Sequence, residues 1–228
     1  MVRGNLIAIV AALAATALYA SAAEPPHYTF SPKPPGKIVQ SLLFYPAGEG
    51  MQSQWRAVSS RVYLGGSAYQ WHLSIYAIDF DAATYRLKYQ SPRDGGPLSR
   101  VTRVGGGPWL PLETLDLVGV AELEHPGVQN LVVQTHEASA DCGGASVIVY
   151  AYDWVHRRIR SVATVTNGCA LRASIVHGAR GYEIVLAGPY YAPNAPLCCP
   201  TRVRARAILR YSGSRWIEIP ALFTLQAH

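Results

Sequence analysis

Charge is scarce in this chain of 228 residues: only 15% are Asp, Glu, Lys or Arg, while 50% are hydrophobic. That balance excludes an intrinsically disordered chain. Lysine is nearly missing, with Lys33, Lys37 and Lys88 set against seventeen arginines. Arginine excess suits recognition of phosphate or carboxylate groups, although codon usage alone produces the same bias. No segment combines a dense basic run with interleaved aromatics, so the footprint of a nucleic-acid binder is absent. Also missing are His-Glu-x-x-His, Gly-x-Ser-x-Gly and Cys-x-x-Cys, the signatures of zinc peptidases, nucleophile elbows and redox dithiols. The histidines at 27, 72, 125, 136, 156, 177 and 228 keep no regular ligand spacing. We expect no metal and no cofactor.

The chain opens with a leader pattern. Arg3 supplies positive charge, Leu6 to Leu18 are apolar, and Ala20-Ser21-Ala22 gives the small-x-small cleavage signal. Residues 1–23 are therefore expected to be a signal peptide, leaving no transmembrane span, and the product to be secreted or periplasmic. No cysteine precedes Cys142, so no lipid is attached near the end of the leader. Residues 24–37, EPPHYTFSPKPPGK, are proline-rich and read as a solvated linker.

Beyond the linker the pattern is all-β. Alternating, β-branched and aromatic runs predict strands over 57–64, 72–79, 85–89, 128–135, 146–152, 159–166, 171–176, 182–187, 203–211 and 216–219. Gly65-Gly66, Asn167-Gly168 and Ser212-Gly213-Ser214 supply turns between them. No stretch holds a 3.6-residue apolar period long enough for a helix. The expected architecture is antiparallel, hairpin-built sheets, either a sandwich or a partial propeller-like array. The loop-rich segment 91–111 divides 38–110, a β region in the same or a separate domain, from a second β domain over 111–220 with a tail over 221–228. SIYAIDFDAATYRLKYQ (74–90) and VIVYAYDWVHRRIRSVA (147–163) share an outline of apolar strand, Tyr-Ala-x-Asp-aromatic, turn and returning strand. AILRYSGSRWIEI (207–219) repeats it with a tighter turn, as successive hairpins of an array require.

Two stretches resemble known families. LDLVGVAELEHPGVQNLVV resembles the calcium loop of FG-GAP and VCBS-type β-repeats, whose acids on alternating positions ligate the ion. Glu122 and Glu124 match the first two acids and Gly127 the turn glycine, while Pro126 and Asn130 replace the other acids. The loop is expected to keep its turn without its ion. Cys142-Gly143, Cys198-Cys199-Pro200-Thr201 and the hairpin Tyr211 to Trp216 are similar to exported bacterial lipoproteins of the LppP/LprE type, over about 112–220. This resemblance implies fold and compartment, and the chain departs from it in lacking a lipid-acceptor cysteine and in having Cys169.

Four cysteines in an exported chain read as two disulfides, with three connectivities open. Bonding Cys142 and Cys169 to the adjacent pair Cys198 and Cys199 would staple three loops at one end of the sheets. Isolated and adjacent cysteines suit a zinc site poorly. After the cysteines, Arg202, Arg204 and Arg206 alternate with small apolar residues, which places three guanidiniums on one strand face as an anion clamp or as a solvated edge. Two further polar groupings are His136, Glu137 and Asp141, and the turn-flanking Asp79, Asp81 and Asp153. Tyr190, Tyr191, Trp154 and Trp216 are candidates for a glycan-binding face. These observations together lead to an exported, non-enzymatic binding or cell-envelope-associated module whose partner is expected to be an anionic envelope component or another exported protein. The alternatives are a secreted hydrolase of an envelope polymer and a purely structural secreted domain.

Overall fold

The computed structural model describes residues 28–47, 54–66, 68–91, 112–137, 145–167, 172–178, 180–190 and 202–221. Within them every regular element is a strand. No helix among the described residues is long and apolar enough to cross a membrane. The strands are β1 (Thr29–Ser31), β2 (Lys37–Phe44), β3 (Trp55–Gly65), β4 (Ala68–Asp79), β5 (Thr84–Ser91), β6 (Leu112–His125), β7 (Val128–Glu137), β8 (Ala145–Asp153), β9 (Arg158–Asn167), β10 (Arg172–Gly178), β11 (Gly181–Tyr190), β12 (Arg202–Tyr211) and β13 (Trp216–Ala221).

Chain order becomes sheet order. β2 to β5, β6 to β9 and β10 to β13 form three successive antiparallel meanders, and β1 adds a parallel strand beside β5. The sheets stack face to face, with the second in the middle. Leu131, Val133, Ile148 and Tyr150 on one face of that sheet pack against Trp55, Leu73 and Ile75 of the first. Val132, Val147 and Val149 on its other face pack against Ile184, Leu186 and Leu209 of the third. Burial on both faces is why β7 and β8 carry the continuous apolar runs LVV and VIVYA instead of strict alternation. Three stacked meanders are thus the array alternative, with each sheet in the place of a blade; a two-layer sandwich would leave one face of every sheet in water.

The internal repeat corresponds to the third and fourth strands of each meander. Asp79 and Asp153 end β4 and β8, and each is followed by four turn residues whose last has positive φ, Ala83 at 48° and Arg157 at 49°. The ladders shift register at matching places, between Ile75 and Tyr76 and between Val149 and Tyr150. Asp79 Oδ1 accepts from Ala82 N (3.0 Å), and its carboxylate pairs with Arg86. Asp153 Oδ1 accepts from the amides of Val155 (3.0 Å) and His156 (3.1 Å), and Oδ2 pairs with Arg160 (3.2 Å).

His156 Nδ1 lies 2.9 Å from Asp153 Oδ2 and donates to it. The side-chain and backbone hydrogen bonds from His156, with Arg160 adding charge, hold the Asp153 carboxyl at about 2, below the ordinary 3.8. A lowered folded-state value stabilises the fold fully above the unfolded value and ceases to do so as pH falls through the folded one. The stability difference between wild type and Asp153→Asn is therefore expected to be constant above pH ~4 and to vanish toward pH ~2. Urea midpoints across that interval measure it; a difference that grows on acidification would contradict the assignment.

Part of the segment read as a linker is built into the fold. β1 pairs with β5, and Phe30 lies against the rings of Tyr76 (4.7 Å) and Tyr85 (5.4 Å). Aromatic side chains among prolines are the reason: Phe30 and Tyr28 cover Tyr76, Tyr85 and Val58 on the outer face of the first sheet. Phe30→Ala is expected to cost about 2–3 kcal/mol in chemical denaturation, whereas a solvated linker would lose nothing.

β6, the longest strand, shows little period-two pattern because three register shifts interrupt its pairing with β7. It bridges the other two sheets, touching β2, β3 and β4 on one side and β10, β11 and β12 on the other. At Gly119 the two sheets come close: a Cβ would stand 3.0 Å from Ile175 Cδ1 of the third sheet, which would have to give by a few tenths of an ångström.

Candidate binding cleft

Three hairpin turns meet at one end of the second and third sheets and enclose a cleft of about 560 Å³. The β6–β7 turn is Pro126-Gly127, with Gly127 at φ 75°, the residue order of a type II turn. Gly178 opposite Gly181 closes β10 to β11. Between β12 and β13, Arg215 O accepts from both Ser212 N (2.9 Å) and Ser212 Oγ (3.0 Å).

The β6–β7 turn is wired internally. Asn130 is fully buried, and its Oδ1 accepts from the amides of Leu123 (3.1 Å) and Glu124 (3.3 Å). Its Nδ2 donates to Glu124 Oε2 (3.0 Å), while Glu124 Oε1 accepts from Trp216 Nε1 of β13 (3.0 Å). The residue standing where a calcium loop has its closing acid thus needs to be an amide, because a carboxylate could not donate to Glu124. Glu124 in turn clamps the second sheet to the third. Glu122, the other matching acid, is exposed at the rim. Among the described residues no three His, Cys, Asp or Glu side chains group as metal ligands.

The remaining lining is aromatic and of mixed charge. Tyr211 meets His125 and Trp216, each at 5.9 Å between centroids, and His177 meets the cross-strand Tyr182 edge-on at 4.9 Å. Arg210 Nη1 lies 3.6 Å from Glu183 Oε1. Among the described residues neither Glu122 nor Arg180 has an ion-pair partner. The cleft therefore offers tyrosine rings, two imidazoles, a carboxylate and a guanidinium to a ligand.

The other sequence-derived candidates fall elsewhere. All four cysteines, Asp141 and Tyr191 lie outside the described residues, so the staple is a matter for chemistry and not for this geometry. Arg202, Arg204 and Arg206 begin β12, whose far end delivers Arg210 to the cleft; their side chains are outside the described set. The β12 ladder shifts register between the pairs Gly188–Ala205 and Tyr190–Arg202. His136 Nε2 is 3.1 Å from Gln134 Nε2, and Gln134 Oε1 accepts from Ala173 N (2.9 Å), so this histidine caps a tie between the second and third sheets. Asp79 and Asp153 cap their own turns on different sheets, and Asp81 is exposed in the first of those turns.

Sequence reasoning missed a second polar group. Ser60 stands opposite His72, and Ser74 opposite both Val58 and Gln90, in one row on the outer face of the first sheet. All four polar side chains are buried. No substrate reaches a row so enclosed, whereas the turn-lined cleft is open.

The fold and site define an all-β protein of stacked hairpin sheets with an open, aromatic-lined cleft between turns. Comparison with protein-family models, curated proteins and solved structures gives no match.

Proposed function

We propose that this chain is an exported, envelope-associated binding module that takes a polyhydroxylated ligand, an envelope glycan, into the turn-lined cleft. One observation carries the reading: tyrosine rings and groups of both charge signs converge on one open cavity. Glu122, Glu124 and Glu183 stand against Arg180 and Arg210, so the cleft is no simple anion trap. Sugar hydroxyls both donate to carboxylates and accept from guanidinium, and their C–H faces pack on aromatic rings. The leader pattern supports export, and the LppP/LprE-like cysteine pattern agrees with that compartment. An anionic ligand on the Arg202, Arg204 and Arg206 strand is the competing placement.

Calorimetric titration with soluble oligosaccharides from bacterial envelope polymers tests both. Tyr211→Ala and Arg180→Ala are each expected to weaken binding by about tenfold, the loss of one stacked ring or one charge-assisted hydrogen bond. Replacing Arg202, Arg204 and Arg206 by alanine is expected to leave it unchanged. Loss of binding in that triple variant, with Tyr211→Ala unaffected, would transfer the ligand to the arginine strand.

A further inference from the structure

The repeated hairpin occurs twice with the same backbone and opposite surfaces. In the first sheet its turn is Phe80-Asp81-Ala82-Ala83, and Phe80 is covered edge-on by Tyr28 at 6.2 Å. In the second sheet the same turn is Trp154-Val155-His156-Arg157. Trp154 is 58% exposed and Val155 85% exposed. A lone exposed apolar residue needs no explanation. Two adjacent ones at the tip of a hairpin, including a tryptophan, are a different matter.

Arg157 and Arg158 stand at that tip where the first sheet has Ala83 and Thr84, while Arg160 matches Arg86. Arg157, Arg158 and Arg160 follow within one turn of the returning strand, and all three are exposed. Asp153, the acid at this hairpin's base, is already engaged by His156 and Arg160. Arg157 and Arg158 have no ion-pair partner among the described residues. The tryptophan ring is braced from behind: Tyr152 meets Trp154 at 5.0 Å and Trp55 at 5.5 Å, which ties the tip to the core.

We infer that the β8–β9 hairpin tip docks on the surface of an anionic lipid bilayer. Trp154 and Val155 enter the interface, and Arg157 and Arg158 pair with lipid phosphates. Tryptophan is the side chain best suited to the headgroup boundary, with an apolar body and one polar N–H. Basic residues beside it gain from the negative surface potential of such a membrane. The charge complementarity is local to this hairpin, since the equivalent tip of the first sheet has no exposed ring and carries Ala83 and Thr84 in place of Arg157 and Arg158. The inference is independent of the cleft and of its ligand.

The test is co-sedimentation of the full chain with phosphatidylcholine vesicles with and without phosphatidylglycerol, together with fluorescence quenching by brominated lipid. Partition is expected to need phosphatidylglycerol and to weaken as salt rises. Arg157→Ala and Arg158→Ala are each expected to lower it about fivefold, and Trp154→Ala about tenfold. Residues 1–23 contain no tryptophan, so lipid quenching that disappears in Trp154→Phe locates the contact at the tip whatever else binds the vesicle. Quenching that persists in Trp154→Phe overturns the inference, as does partition that none of these substitutions changes. Self-association without vesicles that Trp154→Ala abolishes would assign the tip to a protein contact and overturn it equally.

Discussion

Truncating Tyr150 to alanine is expected to cost about 3–5 kcal/mol, the loss typical of a large aromatic removed from a packed core. Tyr150 is fully buried on β8, on the face of the middle sheet that meets the first. Its ring meets Tyr89 of β5 at 5.4 Å, and the Tyr89 hydroxyl donates to the Tyr150 hydroxyl across 3.5 Å. Burial pushes the Tyr150 phenol well above its usual range, and Tyr89 adds to the shift. The group stays neutral and its cost on ionisation is never incurred at ordinary pH. Tyr150→Phe keeps the ring and loses only a long hydrogen bond, so about 1 kcal/mol or less is expected. Urea denaturation of the two variants separates ring from hydroxyl. An alanine variant within 1 kcal/mol of wild type would show that the first and second sheets do not share this core.

The second large effect is expected at Glu124. Alanine there removes the acceptor for both Asn130 Nδ2 and Trp216 Nε1, at a cost of about 3 kcal/mol. Glutamine retains one acceptor oxygen but turns an amide donor toward a partner that is itself a donor, so roughly half the loss remains. Both variants loosen the clamp between the β6–β7 turn and β13, and both are expected to weaken ligand capture in the cleft that these elements border. Denaturation midpoints and the emission of Trp216 report the two consequences. If Glu124→Gln were as stable as wild type, the carboxylate would be free for a ligand after all.

Glu124 also shows why the sequence reading of this loop stopped halfway. The calcium-like pattern located the turn correctly, with Gly127 at its positive-φ position. It could not show that Asn130 and Trp216, six and 92 residues away, had taken the carboxylate for internal bonding. Long-range partners leave no local periodicity to read. A strand's period is legible only while its ladder is regular. β6 escaped notice for this reason, since its three irregularities dissolve the period-two signal.

Much was determined locally. Strand-forming runs, turn glycines and the Tyr-Ala-x-Asp-aromatic hairpin follow from φ/ψ preferences and side-chain alternation, which act over a few residues. These set an all-β, hairpin-built chain and even the matching turns that follow Asp79 and Asp153. Only the tertiary structure decided how the hairpins stack. Packing two faces of one sheet against two others is a choice among long-range contacts, and those contacts bring the turns at 126, 180 and 213 together around a cleft while leaving Trp154 uncovered.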